Sequence, residues 1–201
     1  MKMSGLDRIF ILLTVLLSAY QIVVGIDQMD NAPIIAYTIA FGVLLVAGLL
    51  LIILGFDALD SPVVVIISTI IPLAISTGLV WQYLVPFRAV YLLFAIIGFA
   101  AVIFTRSSQP QSNIPVITIA IVHGIAGITI FLLPMITSIL GTTDPLFALV
   151  GVGGALIGIG GLLLSFLKAG RPILPRETVL RIFPGLLLLM TACFVAGFKY
   201  G

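Results

Sequence analysis

Residues 33–56 read PIIAYTIAFGVLLVAGLLLIILGF, a stretch with no charged side chain. A helix rises 1.5 Å per residue, so about 20 apolar residues cross a hydrocarbon core ~30 Å thick. This run is long enough to do so. Its apolar residues are continuous rather than alternating, which excludes a barrel strand and requires a helix whose backbone bonds are satisfied internally.

Six further stretches read the same way, at 9–26, 62–85, 89–105, 114–140, 146–167 and 182–198. The expected fold is all-α: a polytopic bundle of seven transmembrane helices forming one domain over 1–201. Composition agrees. Apolar residues make up 62% of the chain and charged residues 8%, against roughly 45–50% and about 25% in soluble domains. So few charges leave an apolar exterior that lipid has to cover. The formal charge of +2 is too small to indicate nucleic acid. Cys193, the one cysteine, lies in an apolar run and reads as a small packing residue.

Charges collect in short links, IDQMDNA at 26–32, FDALDS at 56–61 and KAGRPILPRE at 168–177. The fourth and seventh runs are bracketed by Arg88 and Arg106 and by Arg181 and Lys199, so they should stand nearly upright. Pro72 and Pro134 sit where they would kink the third and fifth. Lys2 and Arg8 before the first run, with Val-Val-Gly at 23–25, also resemble a signal peptide. The run exceeds a usual signal core, so a retained helix is expected.

Orientation follows the basic residues. With the N-terminus cytoplasmic, Lys2, Arg8, Arg106, Lys168, Arg171, Arg176 and Arg181 lie inside and only Arg88 and Lys199 outside. The C-terminus is then outside. Trp81, Tyr83, Tyr91 and Tyr200 gather at the outer interface, and Asp27, Asp30 and Asp144 acidify the outer loops. Compactness suggests a bacterial or archaeal plasma membrane.

A shift of 112 positions superposes Pro33 on Pro145, Gly42 on Gly154, Gly48 on Gly160 and Pro72 on Pro184. Pro and Gly fix backbone geometry, so these coincidences suggest a parallel 3+1+3 internal repeat. The SWEET sugar facilitators are similar in this plan alone. Their Pro-Gln signature is missing from the corresponding helices here, because Pro110 and Gln111 lie in a loop. No family follows.

The sixth helix places Gly151, Gly154, Gly158, Gly161 and Ser165 on one face, a stripe suited to close helix packing or self-association. The first helix carries Thr14, Ser18 and Gln21 on one face, and the third Thr69, Pro72 and Ser76. Two readings fit these faces: interhelical hydrogen bonds, or a weakly polar path for a neutral solute. His123 is the one ionisable side chain deep in a run, beside Ala120, Gly124 and Gly127. A neutral, hydrogen-bonded histidine is the first expectation and a quinone or substrate contact the second. Haem would need Met190 as the other ligand. Asp57 and Asp60 overlay the basic loop of Lys168 and Arg171 under the 112-residue shift, which suggests a cytoplasmic charge clasp.

Phosphate-loop, HExxH and GxSxG motifs are absent from the sequence. A non-catalytic subunit or scaffold, packed by its glycine stripe with other membrane subunits, is the leading expectation. A facilitator for a small neutral or lipophilic solute comes second, and a redox or quinone protein built on His123 third. No cofactor or metal is required.

Overall fold

The computed structural model describes residues 3–26, 30–108, 113–168 and 172–201, the side chains of Pro62 and Lys168 excepted. The described residues form α1 (Gly5–Val24), α2 (Asn31–Leu54), α3 (Pro62–Ser68), α4 (Ile70–Tyr83), α5 (Arg88–Ser107), α6 (Ile114–Ile139), α7 (Ala148–Lys168) and α8 (Arg176–Phe198). Short 3-10 turns follow α2 and precede α5 and α7. With α3 and α4 forming one span, Val63–Tyr83, seven helices are long and apolar enough to cross a bilayer. The chain is a multi-pass integral membrane protein.

Local chemistry sets the boundaries that apolar runs leave vague. α1 starts at Gly5 because Ser4 and Asp7 form a capping box, the Asp7 amide donating to Ser4 Oγ at 3.2 Å and the Ser4 amide to Asp7 Oδ2 at 2.8 Å. α8 starts at Arg176 rather than 182, directly after Pro175 and with Glu177 in its first turn, where a carboxylate favours the helix dipole. The third span breaks at Thr69, between α3 and α4. Pro72 has no amide for the Ser68 carbonyl and its ring crowds that carbonyl, so regular bonding fails one turn before the proline. α6 runs without a break through Pro134.

The spans close into a ring. α1 packs on α2 and α8, α2 on α4, α4 on α6, α6 on α7, and α7 on α8. α5 stands outside it, in the groove between α4 and α6. Spans consecutive in the chain run antiparallel, while the ring neighbours α1 and α8, and α4 and α6, run parallel, and the bundle has two distinct ends. At one, Asp60 and Arg176 pair at 2.9 Å while Ile11, Ala58 and Phe183 pack together. This is the basic end. At the far end Asp30 and Arg88 pair at 3.4 Å, and Tyr37, Phe147 and Phe198 fill the axis. The Tyr37 and Phe198 ring centroids are 4.4 Å apart and those of Phe147 and Phe198 6.4 Å, an aromatic plug with little room between the rings.

Candidate functional site

The far half of the ring is filled by aromatic side chains, and the basic half, where aliphatic residues outnumber Phe56 and Phe183, leaves space. Between the two ring halves lies a chamber of about 170 Å³, close to the size of an engineered cavity that binds benzene. Thr14, Leu44, Ile71, His123, Leu187 and Met190 are among its walls, so all six ring spans but α7 are represented by these, and Ile157 and Gly161 supply α7. The lining is overwhelmingly apolar.

Two further cavities adjoin it. A vestibule of about 400 Å³ at the basic end shares Leu59, Val65, Arg106 and Leu164 with the chamber, and holds the Asp60–Arg176 pair in its wall. A lateral groove of about 340 Å³ between α6 and α7 shares Pro72, His123, Ile157, Gly161 and Ser165 with it. His123 therefore stands at the boundary of chamber and bilayer.

Packing of the glycine stripe explains the groove. A Cβ on Gly154 would lie 2.7 Å from Ile130 Cγ2 and 2.9 Å from the Phe131 amide nitrogen, and one on Gly151 would lie 2.7 Å from the Phe131 carbonyl oxygen. Toward the far end α6 and α7 thus touch backbone to backbone. Toward the basic end they part. A Cβ on Gly158, Gly124 or Gly127 would meet nothing within 4 Å, and one on Gly161 only His123 Cδ2 at 4.0 Å. The single seam expected from the spacing is half seam and half opening.

His123 places Nδ1 3.2 Å from the Ile119 carbonyl. A carbonyl oxygen only accepts, so Nδ1 carries a proton, and in the neutral form of the ring Nε2 is then an acceptor. Met190 lines the same chamber, but a porphyrin does not fit a space of about 170 Å³.

The polar face of α1 is buried, yet its hydroxyls turn back on their own helix. Thr14 donates to the Phe10 carbonyl at 3.0 Å and Ser18 to the Thr14 carbonyl at 2.8 Å. Gln21 Nε2 donates to the Gly25 carbonyl at 2.9 Å. These bonds correct the expectation of interhelical ones: a helical hydroxyl reaches the carbonyl one turn back without crossing to a neighbour. Of the three side chains only Thr14 lines the chamber, so they do not form a polar path through the bundle. Thr69 and Ser76 are fully buried and bond their own helix in the same way.

Asp60 pairs with Arg176, and Asp57 is exposed. Arg171 and the Lys168 side chain lie outside the described residues, as do Lys2, Asp27, Pro110 and Gln111. Among the described residues no group of three His, Cys, Asp or Glu side chains is placed to hold a metal ion.

Sequence reasoning assigned Arg106 only a bracketing role at the end of the fourth run. In the fold it reaches the junction of chamber and vestibule, and its Nε is buried without a hydrogen-bond partner. Nothing in the order of residues marks it out, because its position depends on α5 docking against α4 and α6.

Compared with known proteins, the chain matches no family model, no curated protein and no solved structure.

Proposed function

We propose that this protein is a non-catalytic membrane protein that takes a small lipophilic molecule into its chamber and exchanges it with the bilayer between α6 and α7. The observation that carries this reading is that the three cavities adjoin through shared wall residues. A chamber sealed at the far end opens both sideways, past His123 and Gly161, and toward the basic end, past Arg106. Apolar walls with a few polar groups are the usual makeup of a small-molecule site. A facilitator thereby gains over a purely structural subunit.

The test is saturable binding of a tritiated medium-chain alcohol to the purified protein in nanodiscs, compared with Gly161→Phe. The ring of the substituted side chain fills the passage between chamber and groove, so binding is expected to fall to the background of empty nanodiscs. Saturable binding unaffected by Gly161→Phe would place the ligand elsewhere.

A second reading, a subunit seated in a larger assembly, draws on the uncovered Gly124, Gly127 and Gly158, where a helix of another subunit or copy would find small residues to pack against. Native mass spectrometry after mild extraction separates the two: a stoichiometric partner helix would fill the groove, whereas a monomer leaves it to the ligand.

Within this reading the basic end faces the cytoplasm of a bacterial or archaeal cell and the C-terminus faces outward, supported by the excess of Lys and Arg at that end. The ring order also supports the 3+1+3 plan. Exchanging the first three spans for the last three maps the ring onto itself and leaves α5 as the odd helix outside.

A further inference from the structure

We infer that the chamber's ligand is a single-chain amphiphile with an anionic head, held with its head at Arg106 and its chain running past His123 toward the α6–α7 groove. The inference rests on the chamber being a ligand site, as proposed above, and adds the chemistry and direction of the ligand.

Donors and acceptors are unevenly distributed along the cavity. Thr14 and Ser68 donate to the carbonyls of Phe10 and Val65, so what they turn to the chamber is lone pairs. His123 donates Nδ1–H to Ile119 and offers Nε2 as an acceptor at the lateral opening. An anion placed there meets the Nε2 lone pair, with the neutral Ser165 hydroxyl as the one side-chain donor that chamber and groove share and no charge to hold it. At the other end, Arg106 is the one cation lining the chamber among the described residues. The vestibule's remaining charges, Asp60 and Arg176, neutralise each other at 2.9 Å, which leaves Arg106 without a counter-charge there. Its Nε lacks a partner although buried. A guanidinium at the edge of an apolar cavity suits a carboxylate or phosphate, which it binds by charge-assisted hydrogen bonds.

The shape agrees with one chain rather than two. A chamber of about 170 Å³ adjoins a lateral groove of about 340 Å³, and apart from His123 and Ser165 the groove is lined by apolar residues. A single chain follows the chamber into the groove, whereas the second chain of a phospholipid would have to share a chamber of about 170 Å³.

Competition against tritiated dodecanoate in nanodiscs tests the inference. Unlabelled dodecanoate is expected to compete about tenfold or more better than dodecanol, the margin of one charge-assisted hydrogen bond. Arg106→Gln should bring the two competitors together by weakening dodecanoate and sparing dodecanol, while Arg106→Lys keeps part of the preference. Arg181→Gln, an exposed arginine outside the vestibule, should change neither. Elution as a single species verifies that each variant is folded.

Equal competition by the alcohol in the unsubstituted protein, or a preference that survives Arg106→Gln, overturns the inference while leaving the chamber as a site for neutral molecules. Competition by acetate or inorganic phosphate at the same concentration also overturns it, since the site would then take a free anion without a chain. Saturable binding of neither dodecanoate nor dodecanol removes both the inference and the function it rests on.

Discussion

Gly154 and Gly158 are four residues apart on one face of α7, and by spacing alone they are equivalent. Their neighbours make them different. At Gly154 an added methyl group would press on the backbone of α6, 2.9 Å from the Ile130 carbonyl carbon, where no rotamer change relieves it. At Gly158 it would enter open space. Gly154→Ala is therefore expected to lower stability by about 1–3 kcal/mol, the range for overpacking, and Gly158→Ala to stay within ~0.5 kcal/mol of the parent. Thermal unfolding of both variants in one detergent provides the measurement. Equal losses would mean that the seam continues to the basic end and that the lateral opening does not exist. The spacing of small residues in the sequence locates a face, but whether that face is covered depends on the angle between two helices. Gly151, Gly154, Gly158 and Gly161 differ in nothing that their own order reveals.

Among the seven spans, α5 is the least buried and has the largest consequence for the site. Gly98 and Val102 are its only buried residues, and a Cβ on Gly98 would lie 3.1 Å from Val122 Cγ2 on α6. The six-span ring closes without α5, so a larger side chain at Gly98 pushes α5 outward and leaves the chamber walls in place. Arg106 moves with it, two turns further along the same helix. Gly98→Leu is expected to retain dodecanol binding while reducing the preference for dodecanoate, with a stability loss of about 1–3 kcal/mol. Loss of alcohol binding as well would show that α5 holds the ring together. The elements themselves were largely legible. Seven apolar runs became seven spans, because in lipid a continuous apolar stretch of that length has no other way to satisfy its backbone. The ends were less so. The run beginning at 182 missed the first turn and more of α8, since Arg176, Glu177 and Arg181 are polar residues that a helix carries at its membrane edge. The break at Thr69 was expected as a kink at Pro72, but a proline disturbs the carbonyl four residues earlier, and the irregularity appears there.

For the molecule as a whole, function depends on which way the vestibule faces. Seven antiparallel spans put the two termini on opposite sides, and Asp57 lies at the basic end with the vestibule while Gly201 lies at the far end behind the aromatic plug. The excess of Lys and Arg at the basic end supports the proposed cytoplasmic placement, because basic loops are retained there during insertion. The chamber then opens to the cytoplasm and to the bilayer, and the outer route is closed by Tyr37, Phe147 and Phe198. Cys193→Ala provides a background in which Asp57→Cys and Gly201→Cys each supply one exposed thiol. A membrane-impermeant maleimide applied to intact cells is expected to label Gly201→Cys and to reach Asp57→Cys only after the cells are opened. The reverse pattern would turn the vestibule outward, making the chamber an entry for molecules from the surroundings and the aromatic plug the barrier on the inner side. Labelling of both positions from one side would contradict the odd number of spans, and with it the closed ring on which the chamber depends.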